Sequence, residues 1–365
     1  MKILIFRTCS TNININNYNI QEIGLAKALV DSGNTCDIIF YTSKEERVER
    51  ISYKDKEIKI YWIKGLNFLH NGIYNFDKIL KITNNYDVIQ CSDYNQIATY
   101  VMLKKSLKPV VIYHGPYNNK FRWKTNMVDC LFDTIFLKKM LKLNPLIICK
   151  SKLAKDSLKD KGFKNLTCIP VGLDISRFEK KQSDKLNSNS NNQILLYIGQ
   201  IAKRRSIDFL LDLEKEYKKK NPNSKLVMIG NGKRSFCKHV EKRIQNEALS
   251  GNVEWIRKLP QEELCKYYNS ATAFLLPSKY EIFGMVLLEA NYFNLPILST
   301  LNGGSSSIIQ NSSDGYIIDN FNIDEWISKL DLVSSNGCSK SEFKNTWNDR
   351  VGEFLNIYKR GIEKE

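Results

Sequence analysis

The run Ala273-Phe274-Leu275-Leu276-Pro277-Ser278-Lys279-Tyr280-Glu281-Ile282-Phe283-Gly284-Met285-Val286-Leu287-Leu288-Glu289-Ala290 changes character twice. Ala273 to Leu276 reads as a buried strand, Pro277 to Phe283 as a loop, and the residues after Gly284 as a helix. A helix start offers N–H groups with no intrahelical partner and the positive end of the helix dipole, and Gly284 permits close backbone approach, so this turn suits a phosphate. Glu281 precedes the helix and Glu289 lies about one and a half turns inside it. The two carboxylates thereby reach opposite ends of whatever lies across the helix start. Carboxylates accept hydrogen bonds from vicinal hydroxyls, which a ribose at one end and a hexose at the other would present. Alone, Glu281 is an ordinary helix-start charge and Glu289 an ordinary solvated helix residue; the strand and the glycine beside them favour a site.

Outward from this stretch the same rhythm recurs. Strands are expected at 194–199, 225–230, 253–256, 272–276, 296–299 and 315–318, with helices at about 206–219, 234–248, 261–269, 284–293 and 322–333. Upstream, strands are expected at 2–7, 36–42, 58–63, 86–91, 109–114, 145–150 and 166–170, with helices at about 20–32, 72–84, 94–107, 123–142 and 151–161. Such alternation implies βαβ units and parallel sheets. Between the two series, residues 179–193 are polar and aperiodic and read as a linker or exposed loop. The expected fold is α/β: two doubly wound, Rossmann-like domains, 1–182 and 183–338, facing across a cleft, since such sheets bind ligands beyond the carboxyl ends of their strands. Residues 339–365 form a last element, a crossover helix. There Trp347, Val351, Phe354, Leu355 and Tyr358 make one apolar stripe, expected to pack back on the first domain.

The 365 residues fit two domains at about 100–200 residues each. A composition of 42% hydrophobic and 26% charged residues argues against disorder and against a small disulfide scaffold. No apolar run approaches the roughly 18 residues of a membrane span. The start meets Arg7 after four apolar residues, too few for a secretory segment, and reads as a first strand in a cytoplasmic protein. Nine scattered cysteines with no Cys-x-x-Cys pair read as reduced thiols. Three distant histidines and the absence of any Asp-x-Asp give no expectation of a metal site.

The charge is uneven. Of the net +16, residues 1–182 carry 30 basic against 17 acidic side chains, net +13, and the remainder net +3. Residues 119–164 alone hold 12 basic and 4 acidic side chains, interleaved with Phe121, Trp123, Leu131, Phe132, Ile135, Phe136, Leu137, Met140 and Leu141. A basic and amphipathic segment of this kind is attracted to anionic lipid headgroups, with its apolar face adding burial. The same field would attract nucleic acid, a partner not expected here. The plainer reading is a core helix with a lysine-rich outer face.

The stretch around Gly284 closely resembles the E-x7-E signature of family 4 retaining glycosyltransferases of the GT-B fold, with Glu281 and Glu289 as its two acids. Other stretches match in order and spacing along nearly the whole chain: Ile169-Pro170-Val171-Gly172-Leu173-Asp174, Tyr197-Ile198-Gly199, Val227-Met228-Ile229-Gly230-Asn231-Gly232, and Leu295-Pro296-Ile297-Leu298 through Gly303-Gly304. The resemblance implies an acceptor-binding first domain and a nucleotide-sugar-binding second domain. It implies that Glu289 binds the nucleotide ribose, that Glu281 binds the transferred sugar, and that the N–H groups of Phe283, Gly284 and Met285 hold sugar hydroxyls and phosphate. The family's basic pair for the pyrophosphate falls on Gln200 and Arg205, with Arg204 beside them. Gln200 donates a hydrogen bond but brings no charge. His114, before Gly115-Pro116, matches a histidine facing the donor sugar, where a neutral imidazole would donate to a hydroxyl. Two positions depart from the pattern: the first loop is Thr11–Asn19, rich in asparagine rather than glycine, and Ser307 stands where an acid is usual.

The implied activity is transfer of a hexose from a nucleotide diphosphate sugar to a hydroxyl of a glycan or lipid-linked acceptor, with retention and without metal, as in assembly of a bacterial surface polysaccharide. Glu281, His114 and Arg205 are its expected catalytic residues. An anionic membrane surface is the expected second partner, on the inner face of the plasma membrane. Rival readings are a nucleotide-sugar epimerase or hydrolase of the same fold, and a non-catalytic basic module binding membrane or nucleic acid.

Overall fold

Strand β1 (Lys2–Phe6) pairs in parallel on both sides, with β2 (Thr35–Thr42) and β6 (Val88–Ser92). A strand buried on both faces needs an unbroken apolar run, and Ile3-Leu4-Ile5-Phe6 supplies one. The computed structural model describes residues 1–15, 20–178, 193–247, 249–336 and 342–364. It divides into two units: Met1–Asp174 with Asn345–Glu365, and Ile175–Lys344. The divisions fall at 174 and 344, in place of the expected 182 and 338. Apart from Gln193, the expected linker at 179–193 lies outside the described residues.

The first unit's sheet also contains β3 (Arg47–Tyr53), β4 (Lys56–Phe68), β5 (Asn71–Tyr74), β7 (Val110–His114), β8 (Leu146–Cys149) and β9 (Leu166–Cys168). Its order is β3-β4-β2-β1-β6-β7-β8-β9, with β5 paired to β4. Its helices are α1 (Gln21–Asp31), α2 (Phe76–Thr83), α3 (Ile97–Lys105), α4 (Trp123–Phe132), α5 (Lys138–Leu143) and α6 (Lys152–Asp160). Two strands differ from the sequence expectation. β3 is an antiparallel edge strand whose exposed alternate positions are Val48, Arg50 and Ser52, a mixed pattern that hides its strand character. The helix expected from residue 72 begins at Phe76, because 71–74 turn back on β4 as a hairpin. The helix expected at 123–142 is interrupted by a π-helical turn at Asp133–Leu137.

The second unit holds β10 (Gln193–Ile198), α7 (Ile207–Lys220), β11 (Ser224–Ile229), α8 (Arg234–Asn246), β12 (Val253–Ile256), α9 (Leu264–Ser270), β13 (Ala273–Leu276), α10 (Met285–Tyr292), β14 (Ile297–Ser299), α11 (Ser305–Ile308), β15 (Gly315–Ile317) and α12 (Ile323–Asn336). All its strand pairs are parallel, in the order β12-β11-β10-β13-β14-β15.

The last helix, α13 (Trp347–Ile362), belongs to the first unit. Its stripe buries Trp347, Val351, Phe354, Ile357 and Tyr358, and the Tyr358 hydroxyl donates to Gln90 Oε1 at 2.6 Å. Gly24 on α1 makes room for it: a Cβ there would lie 2.3 Å from Trp347 Nε1. Gly172 does the same, a Cβ meeting the Trp347 backbone nitrogen at 2.5 Å. A capping box between Thr346 and Asp349 starts the helix.

Candidate functional site

In the second unit the sheet order reverses between β10 and β13. The loops leaving the carboxyl ends of these neighbours diverge there, which opens a crevice in open parallel sheets. The loop after β10 carries Gln200, Arg204 and Arg205; the loop after β13 carries Ser278 and Glu281 and runs into α10. The Lys279 N–H donates to the Arg204 carbonyl at 2.9 Å, joining the two. Arg205 forms an ion pair with Glu281 Oε2 and donates from Nη1 to Ser278 Oγ at 3.2 Å. Only 9% of Arg205 is exposed, and its Nε is buried without a protein partner. Arg204 sits 3.5 Å from the same carboxylate oxygen and donates to the Tyr280 carbonyl at 3.2 Å and to Gln200 Oε1 at 3.3 Å. The Gln200 side chain thus holds the Arg204 guanidinium.

Gly284 caps α10 with φ +85° and no side-chain cap, and the first turn of a helix offers N–H groups that have no intrahelical carbonyl to bond. Phe283 is buried and anchors the turn. The backbone of 281–283 lies against Gly303 and Gly304: a Cβ on Gly303 would fall 1.8 Å from the Ile282 carbonyl, and one on Gly304 2.1 Å from that of Phe283. The glycine pair thus sets how closely the acidic loop can be supported. Beside it, Asn302 Oδ1 accepts from the N–H groups of Gly304 and Ser305, and Ser307 Oγ donates to the Gly304 carbonyl. At position 307 a hydroxyl closes the local turn where the pattern has an acid.

Glu289 is the acid that the resemblance assigns to the ribose. It is fully buried, and its Oε2 accepts from the Tyr268 hydroxyl at 2.7 Å, with Tyr268 stacked on Phe293. Its neighbours on α10, Val286 to Leu288 and Ala290, are buried with it.

In the first unit, the sheet reverses between β1 and β6. His114 ends β7, is 2% exposed, and places Nδ1 3.0 Å from Asp93 Oδ1, which also accepts from the Gly115 N–H at 3.0 Å. Burial opposes charge on Asp93, but the His114 hydrogen bond and charge, Lys150 and the Gly115 N–H outweigh it and hold the carboxyl down at about 2. An ionised Asp93 only accepts, so Nδ1 of His114 donates to it. Nε2 is the ring nitrogen left to meet a ligand, as an acceptor on a neutral ring and as a donor on a charged one. Asp93 itself was not singled out from the sequence. Its sequence signal is slight, an acid directly after the strand Val88–Ser92, and in the structure it takes φ +49° there. Of the asparagine-rich first loop, 16–19 lie outside the described residues, and Asn12 bonds Ser43.

The model for glycosyl transferases group 1 matches residues 178–350, and that for Glycosyltransferase Family 4 matches residues 23–177. Between them the two glycosyltransferase models match residues 23–350, and the chain has the GT-B fold. It is 23% identical over 301 residues to an alpha-monoglucosyldiacylglycerol synthase of Streptococcus pneumoniae, a match covering 76% of this chain and 67% of that protein. It is 26% identical over 186 residues to an uncharacterized glycosyltransferase of Haemophilus influenzae. The chain spans about half the length of two of the curated relatives it matches. A solved Anabaena protein in complex with UDP-glucose has the same fold, with TM-score 0.65 and 14% identity, covering 100% of this chain and 99% of that one. Across the family matches the E-x7-E stretch falls in the group 1 segment and His114 in the family 4 segment.

Proposed function

We propose that the protein is a retaining hexosyltransferase that moves a hexose from a nucleotide diphosphate sugar to a hydroxyl of a glycan or lipid-linked acceptor, without a metal ion. The observation that carries this reading is the cluster of Arg204, Arg205 and Glu281 beside the start of α10. Two cations against one carboxylate leave one net positive charge, which an arriving diphosphate neutralises. As the bond from the anomeric carbon to the phosphate oxygen breaks, negative charge grows on the leaving group; Arg205, Arg204 and the N–H groups of Phe283, Gly284 and Met285 stabilise it. The acceptor oxygen bonds to the same face of that carbon, and its proton passes to the departing phosphate oxygen. Glu281, compensated by two guanidinium groups, is a weak nucleophile; it orients hexose hydroxyls and stabilises positive charge on the ring. Gln200 acts through Arg204. Glu289 holds the ribose once the Tyr268 hydroxyl yields to it, and His114 accepts a hydroxyl through Nε2, positioned by Asp93.

The Anabaena structure with UDP-glucose supports a nucleotide-sugar donor, and the pneumococcal relative's name supports a lipid-linked acceptor. The basic and apolar segment at 119–164 supports delivery of that acceptor from an anionic membrane surface at the inner face of the plasma membrane, in surface polysaccharide assembly. The test is turnover with a panel of UDP- and GDP-hexoses, the matching donor being found by the rise it gives in the unfolding midpoint. Glu281→Ala and Arg205→Ala should each lower turnover by roughly 10²–10³ with circular dichroism unchanged. Full activity in either variant rejects the reading.

A further inference from the structure

We propose that the first unit docks on an anionic lipid bilayer through two apolar prongs, the β4–β5 hairpin and the α4–α5 helical segment, fastened to one turn beside His114. This deepens the acceptor part of the reading above and rests on it only for what the membrane delivers. On the helical segment, Trp123, Met127, Leu131 and Ile135 recur every four residues and are all exposed, Trp123 by 60%, with Phe121 just ahead of them. Residues four apart share a helix face, so this is a ridge rather than a scatter. On the hairpin, Leu66 and Ile73 are register partners and Phe68 follows Leu66 on the same face; Leu66 is 72% exposed. The hairpin tip turns at Leu69 and His70 with φ of 49° and 66°. A tip built from Leu in that region is strained where Asn-Gly would not be, and it leaves a further apolar side chain exposed.

The two prongs meet at the turn after Asp93. Asn71 Oδ1 of the hairpin accepts from the Ile97 N–H at 2.8 Å; Asn95 Nδ2 donates to Asp129 Oδ1 at 2.5 Å and the Tyr94 hydroxyl to Asp133 Oδ1 at 2.9 Å on the helical side. These contacts also decide the charge of the surface. Asp129 is engaged by Arg122 and Asn95, and Asp133 by Lys161 and Tyr94, so both acids are spent inward. Lys120, Lys138, Lys139 and Lys142 remain exposed around the ridge. Exposed tryptophan and leucine ringed by lysine, without exposed acid on the ridge, complements an anionic headgroup layer over a hydrocarbon edge.

The test uses the full chain with vesicles of phosphatidylcholine, with or without phosphatidylglycerol, read by co-sedimentation and by quenching of tryptophan with brominated lipid. Binding is expected only with phosphatidylglycerol. It should fall about tenfold or more in Leu66→Ser/Phe68→Ser, in Trp123→Ser/Met127→Ser, and in Lys138→Ala/Lys139→Ala/Lys142→Ala. In Trp123→Phe, which keeps the apolar ridge, quenching should drop while sedimentation persists. Equal binding to both vesicle types, undiminished binding of the hairpin variant, or a lipid-free dimer that these substitutions dissociate would overturn the proposal. No vesicle binding by the unaltered protein, with thermal stabilisation by the donor, removes this surface alone; no donor binding by the unaltered protein, with vesicle binding intact, removes the transferase reading alone.

Discussion

Arg205 and Glu281 restrain one another before any substrate arrives, and that pairing shapes what single substitutions do. Arg205→Lys keeps the charge but loses the fork that reaches Ser278 and Glu281 together. We expect turnover to fall at least tenfold in Arg205→Lys, with the unfolding midpoint close to that of the unaltered protein; equal turnover would mean that point charge alone suffices. At Asp93 the informative change is Asp93→Asn, because asparagine also tolerates the left-handed backbone. Asparagine can donate to His114 and so releases the tautomer; kcat should fall more than KM rises, and a fall confined to stability would reduce Asp93 to a structural role. Glu214 is a buried acid that the chemistry does not use. Burial pushes its carboxyl up to about 7, against a hydrogen bond from Ser224 Oγ at 2.9 Å. Between the ordinary value of 4.5 and that figure the folded chain binds the proton that the unfolded chain has lost. Stability should therefore decline as pH rises through this window, by up to roughly 3 kcal/mol. Glu214→Gln should flatten the decline, with an unfolding midpoint above that of the unaltered protein at pH 8 and near it at pH 5; parallel curves would show that Glu214 is ionised throughout.

At the scale of elements, the strand-loop-helix around Gly284 was legible because three independent signals coincide there: an apolar run, loop chemistry and a glycine where φ is +85°. Gly284→Ala strains that angle by about 1 kcal/mol and brings a Cβ to 3.2 Å from Glu281 Cγ. The variant should lose turnover far beyond its loss of stability, since the acid and the helix start move together; unaltered turnover would detach Gly284 from the site. The alternating strands of both sheets were equally legible, since buried parallel strands leave continuous apolar runs. What escaped were the elements that sequence period cannot report. β3 is an antiparallel edge strand with mixed exposure, β5 is short and lies within what reads as a helix start, and the bond from Tyr268 to Glu289 joins residues 21 apart in sequence. The stripe of α13 announced that a surface was needed, but only the fold reveals that Gly24 and Gly172 make it. Gly24→Ala collides with Trp347 and should destabilise the protein by about 1–3 kcal/mol in chemical denaturation.

For the whole molecule, the decisive asymmetry is where the charge lies. Residues 1–182 carry 30 basic against 17 acidic side chains and residues 183–365 carry 25 against 22, so the long-range field belongs to the half that holds the two prongs. Exposed lysines interact through water and are screened within about 8 Å at physiological salt, whereas Arg205 is buried and acts at hydrogen-bond distance. The two partners should therefore separate by ionic strength. Raising sodium chloride from low to molar concentration should release the protein from phosphatidylglycerol vesicles by orders of magnitude, while affinity for the matching nucleotide, followed by titration calorimetry, changes several-fold at most. Because the proposed leaving-group stabilisation comes from arginine and backbone, a chelator added in the same experiment should leave turnover unaltered. Nucleotide affinity that fell with salt as steeply as vesicle binding would place the nucleotide on the exposed lysine surface, and the Arg205 cluster would lose its claim to the diphosphate.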